Sequence, residues 1–65
     1  MNVALTIRKV SGEIEYLDCL DLHDASFMAS LNVEAGNQAL SIRMNGQITH
    51  DETAVRRLTR ELAIY

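Results

Sequence analysis

The dipeptide Asn45-Gly46 constrains the fold of this chain more than any other feature of its sequence. Asn and Gly both tolerate the left-handed backbone conformation that a two-residue β-hairpin turn requires. Before the dipeptide, Leu40, Ile42 and Met44 alternate with polar residues, which is the period-two pattern of a half-buried strand. A short strand over residues 47–49 follows. The second half of the chain is therefore predicted to contain an antiparallel hairpin.

An amphipathic helix is predicted directly after this hairpin. The run from Thr49 to Glu52 has the form of a capping box, with Asp51 as an alternative N-cap. Helical spacing then places four apolar residues on one face: Val55, Leu58, Leu62 and Tyr65. The chain is thus expected to end in a helix that packs this face on the sheet.

A second hairpin is predicted at the start of the chain. Residues 3–8 alternate as a strand does, and Ser11-Gly12 is a candidate for a two-residue turn. Folding the chain back at this turn pairs Arg8 with Glu15, which have opposite charges. The alternation of the second strand fails near Leu17-Asp18, so we expect a bulge or a strand end there.

The middle of the chain fits two structures. Asp24 is a suitable N-cap and Gly36 a suitable C-cap for a helix. One face of that helix would carry Phe27, Met28, Leu31 and Ala35. However, residues 27–35 also alternate as a strand would, with a turn at Gly36-Asn37. The scarcity of β-branched residues, together with the two caps, favours the helix.

These elements predict an α+β fold, a small two-layer domain of order ββαββα with an antiparallel sheet and both helices on one face. The alternative is a five-stranded meander with a C-terminal helix. A chain of 65 residues forms one domain, residues 1–65, with a thin core.

The single cysteine, Cys19, excludes an internal disulfide and is typical of a reducing compartment. The apolar N-terminal stretch is too short for a signal peptide, and no run reaches the roughly 20 apolar residues that span a bilayer. We therefore expect a cytoplasmic protein with no membrane partner.

The charges are unevenly distributed along the chain. No Lys or Arg occurs from Val10 to Ile42, and this stretch contains Glu13, Glu15, Asp18, Asp21, Asp24 and Glu34. Cations flank the stretch on both sides: Arg8, Lys9, Arg43, Arg56, Arg57 and Arg60. The six acidic residues are the candidate partner-binding residues, with Glu34 the weakest candidate. On one strand, Glu13 and Glu15 would lie about 6.6 Å apart, near the rise of two phosphates in DNA, about 3.4 Å each.

Other features that suggest chemistry have a structural explanation. His23-Asp24 and His50-Asp51 fall at predicted helix starts, where the aspartates cap the backbone. Cys19 has two aspartates nearby that raise the pKa of its thiol, so an inert, buried cysteine is favoured over a nucleophile. The arginines of the last helix are interpreted as a solvated face. We expect no catalytic site, no metal and no cofactor.

The small acidic chain, with one cysteine and the run SGEIEYLDCLDLHD over residues 11–24, resembles phage-encoded anti-CRISPR proteins that block type I surveillance complexes. Type I-C is the subtype considered first. This resemblance implies a non-enzymatic inhibitor in the bacterial cytoplasm. It also implies a protein partner, the subunit that reads the protospacer-adjacent motif in DNA, and no direct contact with nucleic acid. The contact residues are chosen by their charge, and a monomer is expected.

Two other functions are considered. A homodimeric structural or assembly module would use the surplus of apolar residues and an exposed sheet edge. A nucleic-acid-binding regulator would use the arginines of the last helix, but the net charge of −3 opposes it.

Overall fold

Four strands and two helices follow one another in the order ββαββα over residues 2–62, the part of the chain that the computed structural model describes. They are β1 (Val3–Arg8), β2 (Ile14–Cys19), α1 (Leu22–Glu34), β3 (Gln38–Met44), β4 (Gln47–His50) and α2 (Glu52–Leu62). The strands form one antiparallel sheet in the order β2-β1-β3-β4. The predicted ββαββα fold is confirmed, and the five-stranded alternative is wrong because residues 27–34 are helical and belong to α1.

The core lies between one face of the sheet and the two helices. Its buried apolar residues are Val3, Leu5, Ile7, Ala39 and Ile42 from the sheet, Ala25 and Ala29 from α1, and Val55 from α2. Leu58 packs partly against them, which agrees with the predicted apolar face of α2. The predicted contributions of the Leu62 side chain and of Tyr65 lie outside the described residues.

The first hairpin is formed, but its predicted register is wrong by one residue. Arg8 pairs with Ile14 and not with Glu15. The loop has three residues, because Gly12 N–H donates to Lys9 O at 2.8 Å and Gly12 then takes a φ of 94°. This geometry is a turn closed by a glycine bulge, which needs one residue more than the predicted two-residue turn.

The register correction decides which side chains of β2 face the helices. Leu17 and Cys19 pack against the core, and the strand continues to Cys19 without a register shift, so the bulge expected near Leu17-Asp18 is absent. Tyr16 pairs with Thr6 and Asp18 with Ala4, on the opposite side. That side, here called the open face, is the face of the sheet away from both helices.

The second hairpin has the predicted two-residue turn. Asn45 and Gly46 have φ values of 55° and 83°, as a type I′ turn requires. In β3, a bulge opposite residues 6 and 7 places Ala39 in the core instead of the predicted Leu40. Ile42 and the partly buried Met44 keep their predicted side of the strand.

The helix caps differ in part from those predicted. Asp21, not Asp24, is the N-cap of α1, and its carboxylate accepts from Asp24 N–H at 2.8 Å. Similarly, Asp51 caps α2 by accepting from Ala54 N–H at 2.9 Å, which is the alternative considered for that helix. At the other end of α1, the C-cap is Ala35 and not the predicted Gly36. Gly36 is the next residue, and its φ of 92° is the left-handed conformation that commonly follows a C-cap.

Candidate partner-binding surface

The fold converts the uneven charge along the sequence into a charge difference across the molecule. β2 is an edge strand of the sheet, and α1 packs on the face of the sheet that carries the core. We call β2, α1 and the loops at their ends the β2–α1 flank. It contains all six candidate carboxylates, of which Asp18 lies on the open face of the sheet, at its β2 edge. β4 forms the opposite edge, and α2 packs on β3 and β4, so most of the arginines lie away from the flank.

Three candidate residues lie towards the hairpin end of the flank: Glu13, Glu15 and Glu34. Because α1 returns in the direction opposite to β2, its last residues come back to the first hairpin loop. Val10 N–H donates to Asn37 Oδ1 at 3.1 Å, and Asn37 Nδ2 donates to Asn32 Oδ1 at 3.0 Å. These bonds fix the hairpin loop against the end of α1.

The other three candidates lie at the β2–α1 corner, where the edge strand gives way to the helix: Asp18, Asp21 and Asp24. Each is close enough to Cys19 for its charge to raise the pKa of the thiol. Asp24 Oδ2 also accepts from Leu20 N–H at 2.9 Å, while Asp24 N–H donates to Asp21 Oδ1. The two carboxylates therefore satisfy backbone N–H groups on both sides of the helix start, much as in a capping box. The six carboxylates thus form two groups along the flank instead of one continuous surface.

Three of the six carboxylates have a structural role. Asp21 and Asp24 cap the backbone at the start of α1, and Glu15 forms an ion pair with Lys9 at 3.2 Å. The other three of the six have neither a hydrogen bond nor an ion pair within residues 2–62: Glu13, Asp18 and Glu34. All three are exposed, so their charges are available to another molecule.

Cys19 has the wrong electrostatic environment for a nucleophile. Burial raises the pKa of its thiol most, and the charges of Asp24, Asp18 and Asp21 raise it further. Hydrogen bonding with the backbone of Leu5 acts in the opposite direction and lowers this pKa. The thiol therefore stays protonated near neutral pH, whereas a reactive cysteine needs a lowered pKa.

The two histidines do not form a site with the carboxylates. His50 Nδ1 lies 2.9 Å from Thr49 Oγ1, and His23 is exposed on the first turn of α1. Among residues 2–62, no three His, Cys, Asp or Glu side chains are arranged to hold a metal ion.

A groove lies between the end of α1 and the middle of α2. It has a volume of about 100 Å³ and is lined by Val33, Ala39 and Val55, with the Glu52–Arg56 ion pair at its rim. Small-molecule sites usually have about 300–1,000 Å³, so this groove has room for little more than one side chain.

The charge pattern did not indicate the exposed apolar residues of the flank. Phe27 and Leu31 were assigned to the apolar face of α1, but both are exposed, and the buried face consists of Ala25, Ser26 and Ala29. The signal was present in the sequence, since α1 is apolar on several sides and only one side can face the sheet.

Comparison of the chain with family models, with curated proteins and with solved structures finds no match. Within residues 2–62, neither helix has the length and apolar character that crossing a membrane requires.

Proposed function

We propose that this protein is a non-enzymatic inhibitor that binds a type I CRISPR surveillance complex through its β2–α1 flank. The flank covers the positively charged surface that reads the protospacer-adjacent motif, and so prevents DNA binding. One observation carries the proposal: the flank has six carboxylates, and the sequence from Val10 to Ile42 contains no Lys or Arg.

The electrostatics of the flank suit a basic partner. A surface of one sign attracts a groove of the opposite sign and can displace its counterions, as nucleic acid does. Glu13, Asp18 and Glu34 contribute most, because the other three carboxylates are already engaged within the molecule. The Debye length falls from about 10 Å at 0.1 M salt to about 3 Å at 1 M, so affinity should decrease as salt rises.

The test is a DNA-binding assay with a purified type I-C complex, at low and high salt, with and without this protein. The key variants are Glu13→Lys and Asp18→Lys, which change exposed side chains without an intramolecular partner. Glu61→Lys is the matched control, because it makes the same charge change on the exposed part of α2, outside the flank.

The proposal requires that wild type and Glu61→Lys abolish DNA binding at low salt, with lower potency at high salt. Glu13→Lys and Asp18→Lys must inhibit more weakly. If DNA binding is unaffected by wild type, the proposal is wrong for this complex. If all variants inhibit equally, the complex is inhibited by a mechanism other than charge complementarity.

A homodimeric assembly module is the second candidate function, and the open face of the sheet favours it. This face exposes two large apolar side chains, Tyr16 and Ile48. Both helices of residues 2–62 pack on the other face of the sheet. Light scattering at micromolar concentration distinguishes the two functions. A dimer that Ile48→Ser dissociates would support the module, and a monomer would exclude it.

A further inference from the structure

Helix α1 has its small side chains turned inward and its large apolar side chains turned outward. Ala25 and Ala29 are fully buried against the sheet. Phe27 and Leu31 keep 54% and 48% of their surface exposed. Folding alone favours the reverse arrangement, because burying large apolar side chains contributes most to stability. The outward position of these two residues is therefore not explained by the core.

Phe27 and Leu31 lie one helical turn apart and form a ridge along the outer side of α1. The charges on the helix beside this ridge are all negative. Asp24 lies one turn before Phe27, and Glu34 lies one turn after Leu31. Arg56 lies beyond Val33, on the side of α2, and is paired with Glu52.

We infer that Phe27 and Leu31 are the apolar anchor of the partner interface, and that they insert into an apolar groove with a basic rim on the partner protein. The inference rests on the proposed function and adds a second contact chemistry to it. Charge complementarity selects this occupant, because carboxylates at both ends of the ridge attract cations at both ends of a groove. The arrangement is that of a helix docked in a groove by residues at positions i and i+4.

The two contact chemistries respond differently to salt. Screening weakens the contribution of Asp18 and Glu34 but leaves the apolar contact of Phe27 almost unchanged. Loss of the anchor should therefore lower the affinity by the same factor at every salt concentration. Loss of an acidic residue should instead reduce the dependence of affinity on salt.

The experiment measures binding of the full chain to the immobilised type I-C complex at about 0.1 M and about 0.5 M salt, where screening lengths differ by about twofold. Phe27→Ala and Leu31→Ala are compared with Ile48→Ala. Ile48 is a close control, because it is 56% exposed but lies on β4, paired with Arg43 on the open face. Thermal unfolding of each variant verifies that the fold is retained.

The expected result for Phe27→Ala is a loss of affinity of roughly tenfold or more, as for the apolar hot spots of other interfaces. This factor should be the same at both salt concentrations, and Ile48→Ala should bind like wild type. If wild type binds and Phe27→Ala binds equally well, the anchor is wrong while the proposed function stands. If wild type does not bind at all, both are wrong. If light scattering shows a dimer that Phe27→Ala dissociates, the ridge binds a second copy, and the proposed occupant is wrong.

Discussion

Asp21 offers a test that separates the structural role of a carboxylate from its charge. Its carboxylate accepts a hydrogen bond from Asp24 N–H at 2.8 Å and caps α1. Asp21→Ala removes this bond, whereas Asp21→Asn removes the charge and keeps an acceptor, since Asn caps helices about as well as Asp. Asp18→Asn is the control, because Asp18 is exposed and forms no hydrogen bond within the described residues.

The size of the effect follows from the cap and from the length of the chain. Replacing an N-cap by Ala costs about 1 kcal/mol. Unfolding entropy is about 2.1 cal/mol/K per residue, which gives about 0.14 kcal/mol/K for 65 residues. Asp21→Ala should therefore lower the Tm by about 7 °C. Asp21→Asn loses only the attraction between its charge and the helix dipole, about 0.3–1 kcal/mol, and should lower the Tm by less.

Thermal unfolding followed by circular dichroism measures all three variants. From the highest to the lowest Tm, the expected order is Asp18→Asn, Asp21→Asn and Asp21→Ala. If Asp21→Ala unfolds at the same temperature as Asp18→Asn, Asp21 does not stabilise α1 and the capping argument is wrong. In the DNA-binding assay, Asp21→Asn then measures the value of the charge while the fold is retained.

Three further predictions concern single residues. Gly36→Ala should destabilise the protein by about 1 kcal/mol, measured by urea unfolding, because Gly36 has a φ of 92° that disfavours a side chain. Thr6→Val should instead stabilise it by about 1 kcal/mol in the same assay, because Thr6 Oγ1 is buried without a hydrogen-bond partner among the described residues. The thiol of Cys19 should show a higher pKa in iodoacetamide alkylation of the folded protein than in urea, and Asp24→Asn should lower that pKa. Because the raised pKa means that the folded state binds this proton more tightly, stability should decline as the pH rises through the ordinary and then the folded pKa of the thiol. A Gly36→Ala or Thr6→Val protein as stable as wild type, or equal thiol pKa values in both states, would contradict the respective argument.

The order of elements could be predicted because each depends on residues near one another in sequence. Asn45-Gly46 determines its hairpin by local backbone geometry alone, and the turn has the predicted form. The first hairpin shows the limit of such reasoning. Gly12 can take a positive φ in a two-residue or a three-residue loop, and only the packing of Leu17 and Cys19 on the core distinguishes the two registers.

The candidate surface was less accessible to sequence reasoning, because it depends on which side of each element faces the sheet. Asp24 was predicted to begin α1, but the chain has aspartates at positions 21 and 24, and either can cap a helix. The exposed position of Phe27 was also missed. Its helix has apolar residues on several sides, and the close approach of Ala25 and Ala29 to the sheet decides which side is buried.

The acidic flank has a simpler explanation that must be tested against docking, namely that its charge only keeps the protein in solution. Solubility depends on net charge and hardly on its position, whereas docking depends on where each charge lies. The double variant Glu34→Gln, Gln47→Glu distinguishes the two, because it preserves the composition and the net charge of −3 while moving one carboxylate from α1 to β4. Both positions are exposed, so the fold should tolerate the exchange.

Docking predicts that this double variant stays as soluble as wild type but binds the surveillance complex more weakly, with a smaller dependence of affinity on salt. A surface pair of opposite charges contributes about 0.2–1 kcal/mol, which corresponds to an affinity loss of up to about fivefold. Equal affinity and equal salt dependence of the two proteins would mean that the position of the charge at Glu34 is irrelevant. The contact would then have to be assigned to Glu13 and Asp18 alone, since those two carboxylates also have no partner among residues 2–62.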